Sequence, residues 1–167
     1  MLLGLVGSEM CIRDRYIPLI ITLVSTWGLP LPCWRDRGGL LDKATETLLK
    51  LRNDPVLFVE KVLNATPQKW QKKALRGIQK NDKVAIRSGH GVGKTAFQSW
   101  LILWWMLTHY PCKIAITGNT QHQLQDVLWT ELDKWYRQLP DGFKSQLDIK
   151  SDKIALHGAK DSYAVCR

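Results

Sequence analysis

Arg87-Ser88-Gly89-His90-Gly91-Val92-Gly93-Lys94-Thr95 stands between a short apolar run and a long one, and no other stretch of the chain constrains its fold as strongly. Glycine lacks Cβ, so Gly89, Gly91 and Gly93 let a backbone close around an anion and point several N–H groups at it. Lys94 then offers a point charge to β- and γ-phosphates, and the Thr95 hydroxyl offers a ligand to the Mg²⁺ that bridges them. A helix beginning near Thr95 adds the positive end of its dipole. The pattern G-x-x-x-x-G-K-[ST] is met except at its first position, where Ser88 stands for glycine. Its setting also agrees. Lys83-Val84-Ala85-Ile86 has the character of a buried parallel strand, and Ala96 to Leu107 is an apolar stretch of helical length. The alternative, a glycine-rich surface turn, lacks a reason for that strand, loop, helix order.

The rest of the chain bounds the partners. At 167 residues, 45% apolar and 23% charged, it has the make-up of one ordinary globular domain with a real core. The net charge of +9 is uneven: residues 35–94 hold 14 basic against 6 acidic side chains. Such a surplus favours a polyanion, nucleic acid first, over a merely solvated face. Cys11, Cys33, Cys112 and Cys166 form no C-x-x-C pair, so neither a zinc site nor a disulfide framework is indicated, and a reducing compartment follows. His90, His109, His122 and His157 show no ligand spacing.

Residues 1–34 read as a leader that is non-native or disordered. Tyr16 to Trp27 is apolar but short and broken by Pro18, too little to span a bilayer, so no membrane partner is expected. Arg13 and Arg15 before it give the outline of a secretory signal. Against that, Ser8 to Arg15 resembles the translation of a transposon end used as a sequencing adapter, and residues 1–15 are expected to carry no selected structure.

From Leu40, apolar residues recur at helical spacing through Leu51, and Asn53-Asp54-Pro55 marks a break and a new start that runs to near Asn64. Gln68 to Gln79 forms a third helix, with Trp70, Ala74, Leu75 and Ile78 on one side and Lys69, Lys72, Lys73, Arg76 and Lys80 crowding the other. Thr95 to His109 is apolar nearly all round, and its Trp100, Trp104 and Trp105 suit core packing better than base stacking. Lys113 to Thr117 is a buried strand, followed by a helix from Gln121 to Gln138. Leu147 to Ile149 and Lys153 to Leu156 form a hairpin, and Ser162 to Val165 a further strand. The fold class is α/β, a parallel sheet with helices on both faces, preceded by a helical segment.

Four stretches resemble the ATPase domain of tailed-bacteriophage terminase large subunits, the motors that pump DNA into a capsid. They are Asn53 to Val59 with Thr66 to Gln71; the loop itself, including its serine; Thr117 to Leu124 with Leu128-Trp129; and Gly158 to Val165. The resemblance covers Leu40 to the end and implies a partial P-loop NTPase of RecA-like (ASCE) type, with residues 35–83 as helical lead-in and residues 84–167 as truncated ATPase core. It implies ATP and Mg²⁺ as cofactors, held by Ser88, Gly89, His90, Gly91, Val92, Gly93, Lys94 and Thr95. Lys94 and Thr95 carry the catalytic roles, with Thr95 on the metal. Gln71, of the Trp-Gln pair, recognises adenine. Some members place an arginine where His90 stands; here that residue shapes the turn. The implied partners are double-stranded DNA, further copies in a ring, and the capsid portal, in the cytoplasm of a host cell.

Hydrolysis requires an apolar strand ending in Asp-Glu, to hold Mg²⁺ and orient water. No such run follows Thr95: Asp148 and Asp152 come after short apolar pieces only. The chain is therefore expected to bind ATP as part of an ATPase without hydrolysing it alone. A helicase-like nucleic-acid-dependent ATPase and a nucleotide-binding module without turnover are the alternatives; the basic third helix speaks against a small-molecule kinase.

Overall fold

The computed structural model describes residues 20–24, 40–118, 120, 123–150 and 153–166. Among these, helices lead up to the glycine loop and most strands follow it: β1 (Ile20–Val24), α1 (Leu40–Asn53), α2 (Pro55–Lys61), α3 (Lys69–Lys80), α4 (Lys94–Thr108), β2 (Lys113–Thr117), a π-helical stretch (Gln123–Trp129), α5 (Thr130–Gln138), the single turn α6 (Asp141–Lys144), β3 (Leu147–Ile149), β4 (Lys153–Leu156) and β5 (Ala159–Cys166). The molecule is mixed α/β. No helix of the described residues is long and apolar enough to cross a membrane.

Local chemistry sets the helix limits. Asp54 Oδ1 accepts from the N–H groups of Val56 (3.0 Å) and Leu57 (3.3 Å), and Pro55 occupies the first turn of α2, so the break after α1 lies where Asn53-Asp54-Pro55 predicts it. α2 ends at Lys61, short of the expected limit near Asn64. Asn64 itself adopts a left-handed backbone with φ 49°, which an asparagine tolerates and a helix cannot continue through. α1 buries Leu51 but leaves Leu48 and Leu49 exposed, so its apolar spacing is only partly used.

α4 is the centre of the core. Phe97, Trp100, Leu101, Ile102, Leu103, Trp104 and Met106 are all buried, and the helix packs against α1, α2, α5 and β5. Trp100 and Trp104 are core, as their aliphatic neighbours predict, and Trp105 is partly buried against it. Trp104 donates its indole N–H to Leu51 O at 2.8 Å, and Trp100 meets Trp135 edge to face at 5.2 Å. The helix expected from Gln121 to Gln138 is instead a π-helical stretch followed by α5; residues 121 and 122 lie outside the described residues.

The sheet has the order β1-β2-β5-β4-β3 and is mixed, which corrects the expectation of a parallel sheet. Only β2 and β5 run parallel, from Lys113 opposite Tyr163 to Ile116 opposite Cys166. β4 is antiparallel to both β5 and β3, because links as short as His157-Gly158 allow a hairpin and no crossover. Gly158, with φ 76°, supplies the left-handed residue of that turn. Of the segment assigned to the leader, Ile20–Val24 alone is among the described residues; it pairs antiparallel with β2.

A second correction concerns Lys83 to Ile86. These residues form no strand: residues 81–87 are all exposed, Val84 at 41% and Ile86 at 39%. The sheet closes its pairings among five other strands. A short apolar run without a neighbouring ladder leaves its backbone to water.

Candidate phosphate-binding loop

The loop is built between two helices. Gly93 caps α4 with φ 82° and ψ 30°, and Gly91 has φ 72°, both left-handed conformations that an L side chain strains to adopt. Phe97 N–H donates to Gly93 O at 3.1 Å, the first turn of α4. Gly89 has neither a left-handed backbone nor a close neighbour; an added Cβ there would meet nothing within 4 Å. Two of the three glycines are therefore required by conformation, and the third is not.

Lys94 turns back over its own loop. Its Nζ donates to Ser88 O and to Gly89 O, each at 3.0 Å. The ammonium thus sits against the backbone of the loop, on two of its carbonyl oxygens. Ser88 Oγ is buried and has no hydrogen-bond partner among the described residues. A buried hydroxyl without a partner is costly, and it belongs to a residue whose own carbonyl Lys94 holds. Val92 and Thr95 are half-buried, whereas His90 is exposed at the turn. Thr95 O accepts from Ser99 Oγ at 3.0 Å, which steadies the first turn behind the loop.

Gln71 joins the loop to the preceding helix, a contact that no sequence pattern used above predicts. It is 3% exposed. Its Nε2 donates to Gly93 O at 3.2 Å, and its Oε1 accepts from Gln68 N–H at 2.7 Å. The second bond has a readable signal, since a Gln three residues after a cap reaches back to the cap N–H. The first does not, because 22 residues separate the partners. A Cβ on Gly93 would lie 3.1 Å from Gln71 Nε2, so glycine at 93 answers to close approach as well as to φ. Trp70 turns its ring toward Phe97 at 5.7 Å and donates its N–H to Gln68 at 3.0 Å.

All nine predicted site residues lie among the described residues, on the loop and the buried side of α3. Those of the stretch Thr117 to Leu124 lie partly outside them, at residues 119, 121 and 122. Among the described residues no three His, Cys, Asp or Glu side chains group as metal ligands.

Neither a protein-family model, nor a curated protein, nor a solved structure matches the chain.

Proposed function

We propose that the chain is the ATP-binding portion of a P-loop NTPase, and that its parent is a DNA-packaging motor of the terminase large-subunit kind. The observation that carries the nucleotide reading is Lys94, held at 3.0 Å on two carbonyls of a loop that caps a helix through left-handed Gly93. A triphosphate at this loop would offer the ammonium oxygens of real negative charge, and charge-assisted bonds are roughly twice as strong as neutral ones. The unpartnered Ser88 hydroxyl and the amides at the start of α4 fit the same occupant.

Mg²⁺ fits here only as a companion of the phosphates. Thr95 would provide one protein oxygen, and among the described residues no group of acidic, His or Cys side chains would add a cluster of ligands to it. When bound, the metal would supply neutralisation of phosphate charge. Gln71 retains one amide hydrogen and one lone pair beyond the bonds it makes, enough for an adenine edge. The terminase reading rests on the sequence resemblance together with the basic segment ahead of the loop; in that reading duplex DNA, a ring of copies and the portal are the partners, in the host cytoplasm.

Titration of the wild-type chain with ATP-Mg²⁺, followed by calorimetry, tests the nucleotide reading. Lys94→Ala should weaken binding by at least about tenfold, the consequence of losing one charge-assisted phosphate contact of roughly 1.5–3 kcal/mol. Equal affinity for the two proteins would exclude the loop as the site.

A further inference from the structure

α3 has two faces with different duties. Gln71 and Leu75 are buried on one side, where Gln71 holds Gly93 of the loop. Lys69, Lys73, Arg76 and Lys80 recur at intervals of four, three and four residues, which at 3.6 residues per turn is a single stripe on the opposite side. All four are exposed, and none forms an ion pair with any described residue. Lys72, off the stripe, differs: it is joined to Glu60 of α2 at 2.6 Å. Elsewhere basic side chains are commonly neutralised one turn away, as in Lys50 with Glu46 and Arg137 with Asp133. Leaving four like charges together opposes helix stability, and of the four only Arg76 acts on a carboxylate of the fold, that of Glu60.

From these facts we infer that the exposed stripe of α3 is a docking surface for the phosphate backbone of duplex DNA; the choice of DNA rests on the function proposed above. The stripe spans about 16 Å at 1.5 Å per residue, a length over which one DNA strand presents about five phosphates. Its chemistry selects among polyanions. A single strand is held by exposed aromatic platforms, and a helix that inserts into a lipid interface carries an apolar face. The exposed positions of α3 are Lys69, Lys73, Arg76, Gln79 and Lys80, with no apolar member. Trp70, the helix's one aromatic residue, is already packed against Phe97. Through Gln71 the same helix is referenced to the loop, so DNA on the stripe and nucleotide on Gly93 share one rigid element.

The test is fluorescence anisotropy of a labelled 25-base-pair duplex with the full chain over a range of salt concentrations. Replacing Lys69, Lys73, Arg76 and Lys80 together by alanine should weaken binding by tenfold or more. It should also lower the slope of log affinity against log salt by about 3 to 4, at about 0.9 per phosphate contact. A matched set, with Lys50, Lys134, Arg137 and Lys144 changed to alanine, removes the same charge elsewhere and should retain the slope. The single change Lys73→Ala, expected to lower it by about 0.9, serves if the quadruple variant does not fold. No duplex binding by the wild type, equal losses in the two sets, or tighter binding of single strands or of phosphatidylserine vesicles would overturn the inference. ATP-Mg²⁺ titration of the same variants separates the two readings: retained nucleotide affinity with no stripe effect removes the docking surface alone, whereas absent nucleotide affinity in the wild type removes the proposed function.

Discussion

Lys83-Val84-Ala85-Ile86 and Lys113-Ile114-Ala115-Ile116 are nearly the same tetrapeptide, yet one is exposed and unpaired while the other is a central strand. Ile114 and Ile116 are 1% and 0% exposed, against 41% and 39% for Val84 and Ile86. The second run lies between β1 and β5 and shares ladders with both. The first is flanked by α3 and by the glycine loop, and enters no ladder. Pattern made both runs equally fit for a strand; neighbours made only one of them so.

The comparison is sharpest under mutation of matched residues. Ile116→Ala should cost about 2–5 kcal/mol, the range for opening a cavity in a packed core, whereas Ile86→Ala should stay within about 0.5 kcal/mol. Urea unfolding followed by circular dichroism measures both. Similar costs at the two positions would show that residues 83–86 are packed in solution, and the contrast between the runs would disappear.

The loop behind the unpaired run is held from the helix side instead, and its glycines divide in the same manner. Gly93→Ala forces a side chain into a left-handed backbone and against Gln71 Nε2, for an expected loss of about 1–3 kcal/mol. Gly89→Ala, facing open space, should leave the melting temperature nearly unchanged. Thermal melts of the pair separate conformational need from mere glycine richness.

The smallest expected effect concerns the entry to the paired run. His109 follows α4 four residues before β2, stacked on Trp105 at 4.1 Å, and burial, with the charge of Arg52 adding to it, holds its imidazole down to about 4 from the ordinary 6.5. Between these values the unfolded chain binds a proton that the folded chain refuses. Stability from this residue is therefore complete above pH 6.5 and declines as pH falls toward 4. Because the ring is only half-buried, the decline attributable to it is about 1–2 kcal/mol, less than the full shift implies. His109→Phe, which preserves the stack, should remove that part of the pH dependence in urea titrations at pH 7 and pH 4.5; an unchanged dependence would assign it to other groups.

Much of the candidate site was legible because its signals are local. Asp54-Pro55, the glycines at 91 and 93, and the apolar length of α4 each act on the backbone within a turn, so spacing alone exposes them. The polar partners of the loop were not legible. Gln71 reaches Gly93 across 22 residues, and Lys94 meets carbonyls rather than side chains. Sheet direction was legible only in part: the hairpin of Leu147–Ile149 with Lys153–Leu156 is as its short link predicts, whereas the second hairpin, after Leu156, escaped because periodicity reports only which residues are apolar.

What the amino-acid sequence determined by itself was the position of the glycine loop at the head of a core helix, and the gathering of basic side chains on one stripe of α3. Both follow from interactions within a few residues, where chain connectivity does the placing. Tertiary structure alone decided that Lys83 to Ile86 stays outside the sheet, that Gln71 is spent partly on the loop, and that the stripe on α3 is left without ion pairs. Those outcomes depend on which distant segments arrive beside a residue, and a backbone donor or a cation takes the best partner that arrives.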